Sequence, residues 1–74
     1  MGEGEKSKTE LVNFIDKYPR SSYIPRALVT IGLVNYDQKN DDLAIETFKR
    51  VIAEYKSTDE AQQALKLIQK IYTD

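Results

Sequence analysis

In a chain of 74 residues the side chains that could do chemistry are few, and here they are mainly carboxylates. Asp41-Asp42 and Asp59-Glu60 are adjacent acidic pairs, and two carboxylates held together can divide into a proton donor and a proton acceptor. The run Asp37 to Asp42 gathers acids at a density that raises a calcium loop. It lacks the central glycine and the distal glutamate that such a loop needs. There is no histidine, so the commonest metal ligand and the usual base near neutral pH are missing. There is no cysteine either, which removes thiolate nucleophiles, disulfides and Cys-type metal sites. No glycine-rich phosphate loop or nucleophile motif occurs. The acidic pairs have a simpler use, because each falls in the first turn of a predicted helix, where negative charge complements the helix dipole. The sequence therefore predicts no catalytic, cofactor-binding or metal-binding residue and no enzyme; turnover of any compound in a generic substrate panel would reverse that.

Charge and hydropathy exclude two further classes. Eleven basic residues against twelve acidic ones leave a net charge of −1, and the basic residues are scattered. Phosphate backbones are held by clustered excess Lys and Arg, so no nucleic acid is expected. Five tyrosines could stack on bases, but Tyr18 and Tyr55 fit core positions with the hydroxyl at the rim. The longest uncharged apolar run, Ala27 to Val34, is far short of the roughly 20 residues that span a bilayer. The start, MGEGEKSK, lacks the apolar core of a signal peptide. Met1-Gly2 fits a myristoylation site only loosely, and reads better as a start codon on an excised fragment.

The elements that must position everything else are helices. Residues 1–6, rich in Gly and charge, read as a flexible tail before a single helical domain over 7–74. Ser7 with Glu10 has the spacing of a capping box, after which Leu11, Phe14, Ile15 and Tyr18 mark one helical face. Pro19 ends that helix. Ser22 predicts the next cap, with Pro25 tolerated in the first turn, and Ala27, Leu28, Ile31, Val34 and Asn35 point inward. Lys39-Asn40-Asp41 supplies a turn and a third cap before a helix that buries Leu43, Ala44, Phe48, Val51, Ile52 and Tyr55. Ser57 with Glu60 repeats the capping-box spacing ahead of Ala61, Ala64, Leu65, Ile68, Ile71 and Tyr72. Four helices joined by links of roughly three to five residues are antiparallel neighbours. No stretch alternates with the period of a strand, so the fold class is all-α.

The helices repeat. Tyr18 and Tyr55 lie 37 positions apart, and the same offset pairs Ile15 with Ile52, Ala27 with Ala64, Leu28 with Leu65 and Ile31 with Ile68. Leu11 with Phe48, Phe14 with Val51, Ser21 with Thr58 and Val34 with Ile71 are conservative matches. A fixed period of this size marks stacked supersecondary units. The stretch IGLVNYDQKNDDLAIETFKRVIAEY, residues 31–55, resembles the tetratricopeptide repeat through Leu28, Ile31 and Gly32 on one helix and Ala44 and Phe48 on the next. It departs from that pattern at Asn35, where Tyr is usual, at Lys39, where Gly is common, and at Lys56, where Pro usually closes the repeat; Pro19 keeps that proline one unit earlier. The resemblance implies a fragment of a right-handed superhelix of helical hairpins, with Gly32 and Ala44 permitting close approach and Phe48 filling the space beside them. The link Tyr18-Pro19-Arg20-Ser21 and the longer period resemble, more narrowly, the repeats of bacterial cell-envelope proteins, including outer-membrane assembly lipoproteins. That implies a periplasmic or outer-membrane-associated setting.

In this frame the chain holds the second helix of one repeat, a complete hairpin, and a first-type helix that closes the end. Solenoids generally need three or more units, so the chain reads as a piece of a larger array or as a unit that self-associates. The resemblance implies a non-catalytic protein-binding or scaffold function. It also puts Arg26, Val29, Leu33 and Tyr36 on the surface that takes a partner. The equivalent residues of the last helix, Gln63, Lys66, Lys70 and Thr73, are polar, as a terminal helix requires for solubility. The apolar stripe suits a partner helix or extended peptide. The alternative is that Val29, Leu33 and Tyr36 pack on the first helix, on a missing neighbour, or on a second copy in a homodimer.

Overall fold

The computed structural model describes the backbone of residues 2–73, and the side chains of residue 6 and of residues 8–73. These residues form four helices and no strand: α1 (Gly2–Lys17), α2 (Ile24–Asp37), α3 (Asp41–Glu54) and α4 (Asp59–Thr73). The all-α arrangement of helical hairpins is the one the periodicity predicts.

The links carry the repeat into the backbone. Tyr18 N–H donates to Phe14 C=O at 2.8 Å, and 37 residues on Tyr55 N–H donates to Val51 C=O at 2.8 Å. Ser21 to Tyr18 at 3.1 Å is matched by Thr58 to Tyr55 at 3.0 Å, and Ile24 to Ser21 at 3.2 Å by Ala61 to Thr58 at 3.2 Å. Two links of different composition thus close with the same three hydrogen bonds. The interruption at Tyr18-Pro19 is a reproducible joint between hairpins.

Three caps differ from expectation. The helix reaches back to Gly2, so Ser7 and Glu10 form no capping box: a capping serine needs non-helical backbone at its own position, and residue 7 is helical. The Ser7 side chain itself lies outside the described residues. Around it Glu5, Lys6, Lys8 and Glu10 are good helix formers, which carry the helix through. Ser22 does not cap α2 either; its N-cap is Tyr23, with no side-chain cap bond, and Ser21 Oγ accepts the Tyr23 N–H at 3.1 Å. Before α4 the cap is Thr58 in place of Ser57. Its Oγ1 accepts the Ala61 N–H at 3.3 Å and donates to the Tyr55 carbonyl at 2.6 Å. Both acidic pairs do lie in first turns, Asp41-Asp42 of α3 and Asp59-Glu60 of α4.

The α2–α3 turn explains a residue that fits the repeat pattern badly. Asn40 N–H donates to Asn35 C=O at 2.8 Å and Lys39 N–H to Tyr36 C=O at 3.0 Å. These are the paired bonds of a Schellman ending, which puts one residue in left-handed conformation. That residue is Lys39, at φ 65°, in the place where glycine carries no steric cost.

α2 is the hub. It packs against α1, α3 and α4, whereas α3 packs on α2 and α4, and α1 on α2 alone. Ile24, Leu28, Val29 and Ile31 of α2 join Ala44, Phe48 and Val51 of α3 and Ala61, Ala64 and Ile68 of α4 in one buried cluster. Gly32 leaves room for the Phe48 ring of α3: a Cβ there would stand 2.7 Å from Phe48 Cζ. Ala44 and Phe48 are fully buried beside it. Asn35 is the one buried polar side chain among the described residues, and Lys8 Nζ reaches across from α1 to donate to its Oδ1 at 3.1 Å.

Of the residues expected on inward faces, Leu11, Phe14, Ile15, Val34, Ile52, Tyr55 and Ile71 are only half-buried, and four are exposed. Tyr18, Leu43, Leu65 and Tyr72 are about half exposed or more. Tyr18 instead rests against Phe14, with ring centroids 5.2 Å apart and the planes tilted by 47°. The cause is the number of neighbours. α1 and α4 are the end helices, and α1 and α3 make no close backbone approach to each other, so residues that point away from α2 and α3 meet solvent.

Candidate interaction surface

The residues expected to take a partner lie on α2, and the structure divides them. Arg26 and Leu33 are exposed, Leu33 at 40%, and Tyr36 is half-buried. Val29 does not belong with them: it is only 6% exposed and sits in the central cluster. The correction follows from helix geometry. α2 is flanked on three sides, and a residue three positions after Arg26 is turned by about 60° relative to it, enough to leave the free face. Thr30 and Asp37 take its place on that face, Thr30 half-buried and Asp37 exposed. Thr30 Oγ1 donates to the Arg26 carbonyl at 3.1 Å, so its hydroxyl is spent on its own helix.

What remains is a narrow ridge: Arg26, Leu33 and Asp37 in the open, with the Tyr36 ring at one margin. It sits on the helix that packs against all three others. The matching residues of α4, Gln63, Lys66, Lys70 and Thr73, are all exposed.

A concave feature elsewhere was not legible in the sequence. Between α1 and α3 lies an open groove of about 450 Å³, lined by Val12, Ile15, Leu28, Ile31 and Leu43, with Asp16, Glu46 and Arg50 beside them. Arg50 Nε is 3.4 Å from Glu54 Oε2, an exposed pair one turn apart. Val12 lies one position off the apolar face read from Leu11, Phe14 and Ile15. Leu43 resembles any other core leucine in the helical pattern. Nothing local marks either as a groove residue. Among the described residues no group of three or more His, Cys, Asp or Glu gathers as a metal site would require, and no helix is long and apolar enough to cross a membrane.

Comparison with known families finds one match: residues 26–58 fit the family model described as tetratricopeptide repeat. The matched stretch takes in most of α2, all of α3 and the link to α4, a little under half of the chain. It supports a tetratricopeptide-repeat family and agrees with the hairpin built around Gly32, Ala44 and Phe48. No curated protein matches the chain. No solved structure matches it either.

Proposed function

We propose that the chain is a non-catalytic protein-interaction module that receives a helix or extended segment of another protein along the exposed ridge of α2. Arg26, Leu33 and Tyr36 make the contact, and Val29 holds the ridge from beneath. The observation that carries this is a solvent-exposed leucine flanked by Arg and Tyr on the best-anchored helix of the molecule. Arg and Tyr are the residue types over-represented in binding hot spots, and an apolar side chain between them supplies surface to bury. The tetratricopeptide-repeat match supports the same class of function, since repeats of that family typically bind other proteins.

Selection from a displayed peptide library tests it. Peptides that bind the wild-type chain should lose about 30-fold in affinity on Leu33→Glu, which corresponds to a hot-spot loss of about 2 kcal/mol. The variant should keep wild-type helicity by circular dichroism. Peptides that bind both forms equally would move the binding site away from the ridge. An unfolded Leu33→Glu would make Leu33 a core residue and end the idea.

A second reading, in which this face joins copies of the chain or further repeats of a longer protein, is separated from the first by sedimentation. A dimer lost on Leu33→Glu favours it. The envelope setting is a finer proposal, supported by the Tyr18-Pro19-Arg20-Ser21 link and the 37-residue period. Detection of a full-length parent in the cytoplasmic fraction alone would oppose it.

A further inference from the structure

The groove between α1 and α3 carries residues that the repeat itself does not require. Val12 on α1 and Leu43 on α3 stand on its two walls, and they are 43% and 50% exposed. At the repeat offset of 37, Val12 corresponds to Lys49 and Leu43 to Lys6, and both lysines are exposed. A place that accepts lysine in one unit needs no apolar side chain for folding, yet both apolar exchanges fall on this groove. The acids beside them follow the same rule: Asp16 corresponds to Ala53, and Glu46 to Thr9. The floor is Leu28 and Ile31 of α2. These lie about 140–200° round the helix from Arg26, so the groove and the ridge are on opposite sides of α2. Both walls and the floor belong to helices already present, and α4 contributes nothing to the lining. α2 and α4 approach each other closely, whereas α1 and α3 do not. A further unit added by the same repeat step prolongs the row beyond α1 or beyond α4 and leaves the space between α1 and α3 open.

We infer that this groove docks a short extended segment of another protein that combines apolar side chains with a lysine or arginine. The apolar part follows from Val12 and Leu43 above a floor of Leu28 and Ile31. The basic part follows from charge. Asp16 on one wall and Glu46 on the other make no ion pair or hydrogen bond with the described residues. Arg50 is the cation of the lining, and its Nε is 3.4 Å from Glu54 Oε2. Three carboxylates thus share one guanidinium at the margin. Thr47 Oγ1 donates to the Leu43 carbonyl at 2.8 Å, so its hydroxyl is engaged within α3. An acidic segment meets like charge here, and a basic apolar one meets complementary groups. In an extended segment alternate side chains share one side, so apolar residues two apart enter the groove while a neighbouring basic side chain reaches a carboxylate on the wall. The site lies on the far side of α2 from the ridge, so it stands or falls separately from binding there.

The test uses the full chain and a displayed library of short random peptides, selected on the wild type and depleted on Val12→Lys combined with Leu43→Lys. Each substitution installs the residue found at the equivalent place of the other unit, so the double variant should keep the wild-type helical spectrum. Recovered peptides should join apolar residues to Lys or Arg. One of them, synthesised with a fluorescent label and followed by anisotropy, should lose at least about tenfold in affinity on the double variant. Asp16→Asn combined with Glu46→Gln leaves the apolar walls intact and should weaken the same peptide by about threefold, with less dependence on salt. Leu33→Glu, on the opposite side of α2, should leave it within about twofold. A library that yields no peptide separating the wild type from the lysine double variant overturns the proposal. So do recovered peptides that are acidic, peptides weakened as much by Leu33→Glu, or a lysine double variant that unfolds, which would make the walls part of the core. A wild-type dimer in sedimentation that the lysine double variant abolishes would give the groove to a second copy and also overturn it.

Discussion

Replacing Gly32 by Ala sets two physical effects of opposite sign against each other at one site. Gly32 lies inside α2, and a helix-interior Gly→Ala exchange taken alone stabilises by about 1 kcal/mol, because alanine loses less backbone freedom on folding. The added methyl would stand 2.7 Å from Phe48 Cζ and 2.8 Å from Cδ1. Carbon atoms rest comfortably at about 3.5–4.0 Å, so the ring must retreat by roughly 1 Å. Phe48 is fully buried at the meeting of α2 and α3, and it can retreat only by prising the hairpin apart. Overpacking of a closed core costs about 1–3 kcal/mol, and a clash with a whole ring edge belongs at the upper end. The expected net effect is a loss of about 2 kcal/mol, which for a domain of this size lowers Tm by about 10 °C. Thermal and urea denaturation followed at the helical circular-dichroism band read it directly, with the midpoint falling at constant slope. Adding Phe48→Leu should recover part of the loss, so that the double variant is more stable than the two single losses predict by about 1 kcal/mol or more. A Gly32→Ala chain that melts a few degrees higher than wild type would refute the close approach of α2 and α3.

Other substitutions test the links and the ridge. Lys39→Gly should stabilise by about 1 kcal/mol, because the left-handed conformation strains every residue with a Cβ; an unchanged urea midpoint would contradict the Schellman ending. Thr58→Ala should destabilise by about 1 kcal/mol through loss of the α4 cap, while Ser57→Ala and Ser22→Ala stay within about 0.5 kcal/mol of wild type. The reverse order in thermal melts would restore the caps read from the sequence. Val29→Glu should abolish cooperative unfolding, since it buries a charge in the central cluster, whereas Leu33→Glu should stay within about 0.5 kcal/mol of wild type.

The helices, their number and most of the inward residues were legible because they are local patterns. Apolar spacing, the proline at Tyr18-Pro19 and the constant offset all reside in neighbouring letters, and Ala27, Leu28, Ile31, Phe48, Val51, Ala64 and Ile68 are buried where that spacing puts them. Cap positions slipped by one residue, from Ser22 to Tyr23 before α2 and from Ser57 to Thr58 before α4. Only the backbone path selects which residue stands at the first turn. The exposure of Arg26 and Leu33 was legible, but the burial of Val29 was not, because it depends on α2 having neighbours on three sides.

The string of residues determined the class of the molecule: a tandem of helical hairpins with its small and apolar side chains in register. The tertiary structure decided which members of each repeated pair are covered. Leu28 and Leu65 are the same residue in the same local setting, and one is buried while the other meets water. Local sequence sets the direction in which a side chain points, but its environment is supplied by helices distant in the chain. Among the described residues α2 has three helices against it and α4 has two.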